Sequence, residues 1–208
     1  MQNSNTLISS VVPFANLHWW KMANEATIVQ LDIAEHFAKM SFRNRYYIAT
    51  AQGKHCLSIP IENGRNHRVP MNEIRISYAE NWQQLHWRTL YSAYNRSPYF
   101  EYFRDDLYTL YEQPYETLVE FNRASLQWLK AKLNCPLEEQ LIKTYRRIYE
   151  NAMDSRQLQP RDEPELVFPP YHQVFQERNG FIPNLSILDL LFNEGRYAKS
   201  YLDQITST

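Results

Sequence analysis

Thr6-Leu7-Ile8-Ser9-Ser10-Val11-Val12, then Asn16-Leu17-His18-Trp19-Trp20-Lys21-Met22-Ala23-Asn24, then Ala26-Thr27-Ile28-Val29-Gln30-Leu31-Asp32-Ile33 are the three runs that decide the fold. The outer two are short, apolar and rich in β-branched residues, which predicts strands. The middle run has the length and composition of about two helical turns. A strand–helix–strand unit places its two strands parallel and puts the first linking turn at their carboxyl end.

Working outward, Tyr46–Thr50 and His55–Ile61 flank Ala51-Gln52-Gly53-Lys54, a hairpin signal. Asn63-Gly64 reads as a second turn, and Glu73–Tyr78 alternates like a short strand. After Asn81 the period changes. Trp82, Leu85, His86, Thr89, Leu90, Ala93 and Tyr94 recur at three and four and mark one helix face. Ser97-Pro98 opens a second helix to about Tyr111. Pro114 opens a third, with Leu118, Phe121, Ser125, Leu129 and Leu133 on one face and Asn134-Cys135-Pro136 as its stop. A fourth helix is expected over Leu137–Ala152, then an irregular proline-rich stretch over 154–170 and a strand over Tyr171–Phe175. The closing helix runs from Leu185 to about Asn193 and ends at Gly195. The expected class is α+β: an N-terminal mixed sheet opening with the strand–helix–strand unit, then a helix-rich C-terminal half. Residues 1–208 are expected to form one domain, sheet-rich to about 80 and helical from about 81.

Composition removes several function classes. The net charge of −1 gives no basic excess for nucleic acid, so no nucleic-acid partner is expected. Two cysteines, Cys56 and Cys135, form no Cys-x-x-Cys pair, which argues against a disulfide scaffold or thiolate zinc site. Met1–Ser10 has no basic leader, and no apolar run approaches a membrane span, so the cytoplasm is expected and no membrane partner. Only four glycines occur, Gly53, Gly64, Gly180 and Gly195, and no phosphate-cradling loop or serine-hydrolase elbow can be assembled from them. The 15 tyrosines, 10 phenylalanines and 5 tryptophans favour half-buried surfaces, pockets or interfaces, with a tyrosine-rich core as the structural alternative.

Any chemistry therefore rests on side chains. Asp32 closes the second strand and His36 lies four residues on, a spacing open to a divalent metal, but a cap or solvated face is preferred and no metal is expected. Lys39, Arg43, Asn44 and Arg45 form a basic cluster with an amide near the same turn, suited to phosphate or carboxylate unless it is a solvated positive face. His86, on an apolar helix face, is the leading acid–base candidate, and His18 the second; a satisfied core histidine is the alternative. Tyr171-His172-Gln173-Val174-Phe175 and Gly180–Asp189 form the last block. Ser186 with Asp189 three residues later reads as an acidic capping box, and Asn184 is an equal cap candidate. The same helix mouth also suits an anion or carbonyl oxygen. Cys56 and His55 alternate on a strand and cannot form a dyad directly.

These residues carry a resemblance. Val12-Pro13-Phe14, Ala26–Asp32, Lys39, Asn44-Arg45-Tyr46-Tyr47-Ile48, Leu57–Ile61, Trp82 with His86, Tyr94 with Ser97-Pro98-Tyr99-Phe100, and above all Gly180–Asn193 resemble the spaced pattern of the WbqC-like proteins. The resemblance implies a bacterial cytoplasmic protein, some of whose relatives are encoded in surface-polysaccharide (O-antigen) clusters and are proposed to transfer glycine to an amino sugar. This chain departs from longer members: they have glycine where His18 stands, and Thr144–Pro170 is glycine-free here.

The resulting expectation is an acyl or aminoacyl transferase acting on an amino sugar or nucleotide sugar. His86 is the base and Asp32 orients a hydroxyl or the amine. Lys39 and Arg45 hold a phosphate, and Asn44 and His18 also contact the substrate. Asn184 with Ser186 contacts an oxyanion or carboxylate, and Tyr94, Tyr99, Tyr171, Gln173 and Asp189 line the ligand. No cofactor is assigned, and a homo-oligomer is compatible. The alternatives are a non-catalytic binding or assembly protein with an aromatic pocket, and a nucleotidyl-transfer-like enzyme that activates a carboxylate.

Overall fold

A computed structural model describes residues 5–62 and 69–207 of the chain; the Asn63-Gly64 turn lies outside them. The opening unit forms as its pattern dictates. Strand β1 (Thr6–Ser10) leads into helix α1 (Leu17–Glu25), and the chain returns as β2 (Ile28–Asp32), parallel to β1 from Thr6↔Ile28 to Ser10↔Asp32. Asn16 caps α1: its side-chain oxygen accepts the Trp19 amide at 3.0 Å. Leu17, Trp19, Trp20 and Ala23 turn the helix's apolar face onto the core.

The hairpin follows as β3 (Arg45–Thr50) and β4 (Gly53–Ser58), joined by Ala51-Gln52. Gly53 has a φ of 99°, a conformation open to glycine and strained for other residues. Glu73–Tyr78 is not a strand. One 3-10 turn, Met71–Glu73, is followed by isolated bridges Ile61↔Ile76 and Arg75↔Thr117, because this segment ties the hairpin exit to the helices rather than entering a sheet.

Three longer helices follow: α2 (Trp82–Tyr94), α3 (Phe100–Glu112) and α4 (Leu118–Lys132). Two begin a few residues later than the prolines suggest. Helix α3 starts beyond Ser97-Pro98, whose serine folds back onto Tyr94 O (2.7 Å), and α4 starts behind Thr117, where a Thr117/Glu120 capping box outcompetes Pro114 as the signal.

The fourth helix expected over Leu137–Ala152 does not form. Glu139–Ile142 is instead β5, parallel to β2, and β6 (Met153–Asp154) adds to the other side of β1. The physical reason is the edge of β2: it satisfies the backbone of 138–142, with Val29 N donating to Glu138 O and Ile33 N to Ile142 O. Lys143–Ile148 is exposed and offers no apolar face for a helix to bury.

Among the described residues β7 (Leu166–Val167), α5 (Gln176–Asn179), α6 (Ile187–Glu194), α7 (Ala198–Leu202) and β8 (Thr206–Ser207) complete the chain, with β7 antiparallel to β8. Tyr171–Phe175 is not a strand. The Gln173 side chain both donates to Ile182 O (2.9 Å) and accepts from Ile182 N (2.9 Å), replacing a strand partner. Helix α7 had no sequence forecast. The protein is α+β, with a parallel sheet ordered β5-β2-β1-β6, a separate antiparallel hairpin, and a helix-rich remainder.

Candidate active-site crevice

In open parallel sheets, ligands seat at the carboxyl ends of strands where the strand order reverses. Here the order reverses at β1: the chain leaves β1 toward β2, and β6 arrives from far along the sequence on the other side. A cavity of about 20 Å³, room for a single water-sized group, opens there. Ser9, Ser10 and Phe14 line it from the end of β1, Arg43, Arg45 and Tyr47 from the start of the hairpin, and Ser155 and Ser186 from later segments.

The loop after β1 is pinned from the C-terminal block. Leu17 N donates to Leu185 O (3.0 Å), Ile187 N to Ala15 O (3.0 Å), and Ser186 Oγ to Phe14 O (2.7 Å); Ser186 N donates to Tyr47 O (2.8 Å). Phe14 is held at a φ of 41°, unusual for a bulky side chain and costing about 1–3 kcal/mol. Such strain persists where surrounding contacts over-determine it, as here.

Two polar atoms at the crevice are unspent. Among the described residues Ser10 Oγ and Arg45 Nε are buried without hydrogen-bond partners. Ser10 lies close enough to Glu35 to favour its ionised form, yet makes no hydrogen bond of ordinary geometry. By contrast Ser9 Oγ accepts from Trp19 Nε1 (2.7 Å) and donates to Ser10 O (2.7 Å). Arg43 is also committed, giving Nε to Glu35 Oε1 (3.0 Å) and an amino group to Arg156 O (3.1 Å).

Beneath the crevice runs a buried ionic network. Asp32 accepts from the Ala34 and Glu35 amides, both at 3.0 Å, and from Arg156 (2.8 Å), which also forks onto Asp154 and stacks over Tyr149. Burial raises the Glu35 carboxyl's pKa, a push that Arg43 opposes. For Asp154, burial pushes upward but the Arg156 hydrogen bonds win, and its pKa is lowered.

The WbqC-like protein family matches this chain over residues 13–163. The chain belongs to that family. It is 28% identical over 194 residues, 80% of this chain and 83% of the relative, to a protein of Mycobacterium tuberculosis (strain ATCC 25618 / H37Rv) named uncharacterized protein Rv1507c. No solved structure gave a significant match. The WbqC-like match includes Ser155 and all the crevice residues of the hairpin; Gly180–Asn193, the most specific part of the resemblance, lies beyond it.

Within this WbqC-like chain the residues singled out from sequence fall into separate places. Arg45 and Ser186 line the crevice. His18 is half-buried in the first turn of α1, its amide donating to Asn184 Oδ1 (2.9 Å), and burial lowers its imidazole pKa. Asn184 sits at a φ of 53°, which asparagine tolerates, and Ser186 caps α6 by accepting from Leu188 N (3.3 Å). Asp189 does not reach back in a capping box. It faces inward, where Tyr171 (2.7 Å), Gln173 (3.0 Å) and Tyr94 (2.7 Å) all donate to it.

His86 is buried with both ring nitrogens engaged, Nδ1 at 3.1 Å from Tyr46 Oη and Nε2 at 3.2 Å from Ser58 O. Nε2 therefore carries the proton, and burial drives the pKa down to about 4. Asn44 donates to Ile59 O (2.9 Å), Lys39 is exposed, and Tyr99 packs where a Cβ on Gly195 would lie 2.5 Å from its ring. Ser10 and Ser155 had no sequence forecast, and Phe14 stood out only as part of the family pattern. A polar pair ending an apolar strand, just before Val-Val-Pro, was the available signal for Ser10. Ser155 enters through the long-range pairing of β6, and no local pattern marks it.

His36 stands 5.9 Å from Tyr145, ring to ring, and among the described residues no group of three or more His, Cys, Asp or Glu side chains is placed to hold a metal. Among them also, no helix is long and apolar enough to cross a membrane.

Proposed function

We propose that this WbqC-like protein is an acyl or aminoacyl transferase acting on an amino sugar carried by a nucleotide, as in surface-polysaccharide synthesis. The anionic part of the ligand enters the crevice at the end of β1. The observation that carries this reading is the pair of unpartnered buried polar atoms, Ser10 Oγ and Arg45 Nε, at the place where the sheet order reverses. A guanidinium and a serine hydroxyl lining one crevice suit one oxygen of a phosphate or carboxylate, with the body of the ligand outside.

His18 is the better base of the two histidines. Its half-buried ring is neutral near pH 7, and its position at the start of α1 is fixed by Asn184. His86 is spent on Tyr46 and Ser58. Since the pKa of His18 is lowered, turnover should rise with pH through a value below the ordinary 6.5 and then level off.

Calorimetry with UDP-N-acetylglucosamine, UDP and inorganic phosphate tests the crevice. The wild-type protein should bind at least one of them, and Arg45→Met should weaken that binding about tenfold or more. An inert wild-type protein, or equal binding by the variant, removes the reading. A binding role without turnover is the second reading, supported by a lining that among the described residues contains neither carboxylate nor imidazole. His18→Gln separates the two: transfer requires that it keep binding and lose product formation.

A further inference from the structure

We propose that the open groove between α2 and α3 is a saccharide-binding site for a neutral or amino-bearing pyranose, independent of the crevice. The groove measures about 610 Å³, within the roughly 300–1,000 Å³ of small-molecule sites. Helix periodicity builds it. Gln84, Trp87, Arg88 and Tyr91 fall at i, i+3, i+4 and i+7 on α2, and Tyr108 and Glu112 at i and i+4 on α3.

The rings form an open platform rather than a closed stack. Trp87 lies 4.8 Å from Tyr108 and 6.2 Å from Tyr91, with interplanar angles of 45° and 55°. Tyr91 and Tyr108 remain 43% and 39% exposed. Apolar rings held this open on a helix pair are surface that a ligand covers favourably.

The rim identifies the occupant. Arg88 and Glu112 form no ion pair among the described residues, and both are exposed. One cation and one anion in the same lining give no net field for a polyphosphate or nucleic acid. A polar rim around aromatic rings also fits poorly with an apolar helix. A pyranose matches both parts: its C–H face is drawn to the negative face of an aromatic ring, and its hydroxyls pair with planar amide, guanidinium and carboxylate groups. Glu112 additionally suits a ring ammonium.

Tyr111 lines the groove, and its hydroxyl lies 2.9 Å from that of Tyr46, which lines the crevice. The two sites thus stand on opposite sides of one hydrogen-bonded tyrosine pair.

Amide-resolved NMR titration of the full chain with glucosamine, N-acetylglucosamine and the β1→4-linked disaccharide of the latter tests the site. Wild type should shift α2 and α3 resonances saturably. Tyr108→Ala should weaken binding at least about fivefold, the loss of one stacking ring. Glu112→Gln should weaken glucosamine selectively, and Arg45→Met should change nothing. No binding by wild type overturns the proposal, and so does binding that Tyr108→Ala and Arg88→Ala both leave intact. Loss in Arg45→Met alone would move the sugar to the crevice and equally overturn it. Arg88→Ala, at an exposed position, decides the matter if Tyr108→Ala fails to fold.

Discussion

Two buried polar clusters sit three residues apart on the C-terminal block, and they are built on opposite principles. Around Asp189 every donor has an acceptor: two tyrosine hydroxyls and the Gln173 amide converge on one carboxylate. Around Ser186, at the crevice, Ser10 Oγ and Arg45 Nε have none. A satisfied network rigidifies and specifies a core, whereas an unsatisfied one stores a debt that a ligand can settle. The difference separates structural from binding candidates better than residue type does, since Tyr94, Tyr171 and Asp189 looked as ligand-ready in sequence as Arg45.

The largest expected effect tests the satisfied side. Asp189→Ala strands two tyrosine hydroxyls in the core and removes one acceptor of the Gln173 amide, and urea denaturation should show a loss of about 3–5 kcal/mol. A loss below about 1 kcal/mol would mean the Asp189 cluster is no more structural than the crevice, and the contrast would collapse.

His86 sharpens the same comparison through pH. Its pKa falls from 6.5 unfolded to about 4 folded because burial disfavours the imidazolium. Between those values the unfolded chain binds more protons, so stability rises with pH. Acidification from pH 6.5 to 4 should remove up to about 3 kcal/mol through this one group. Equilibrium unfolding of wild type and His86→Gln across that range checks it: the variant's profile should be flatter. Parallel profiles would return His86 to the list of accessible bases.

Legibility followed the range of the forces involved. The β1–α1–β2 unit and the hairpin were readable because period, turn residues and caps act within a few positions. Strand β5 was not, since Glu139–Ile142 becomes extended only by meeting β2, more than 100 residues earlier. Asp189 was half-readable. Ser186 does cap α6, but a lone acid among Leu188, Leu190 and Leu191 on a helix buried all round was a stronger sign of an inward carboxylate than of a capping box. At the crevice, Arg45 stood out as a cation near a strand, while Ser10 and Ser155 come together only through the order of the sheet.

The smallest expected effect bears most directly on the unsatisfied side. Ser10→Ala deletes a buried hydroxyl that makes no hydrogen bond, so the folded protein loses a desolvation penalty and little else. Stability should stay within about 0.5 kcal/mol of wild type or rise by up to about 1 kcal/mol. Binding of the crevice ligand should weaken nonetheless, because the hydroxyl's partner is then missing only in the complex. The opposite pattern is equally readable. If Ser10→Ala costs more than about 1.5 kcal/mol and leaves binding untouched, the hydroxyl is serving Glu35, whose carboxyl it helps keep ionised. In that case the crevice would be a second closed network like that of Asp189, and Arg45 alone would be left to recognise an anion.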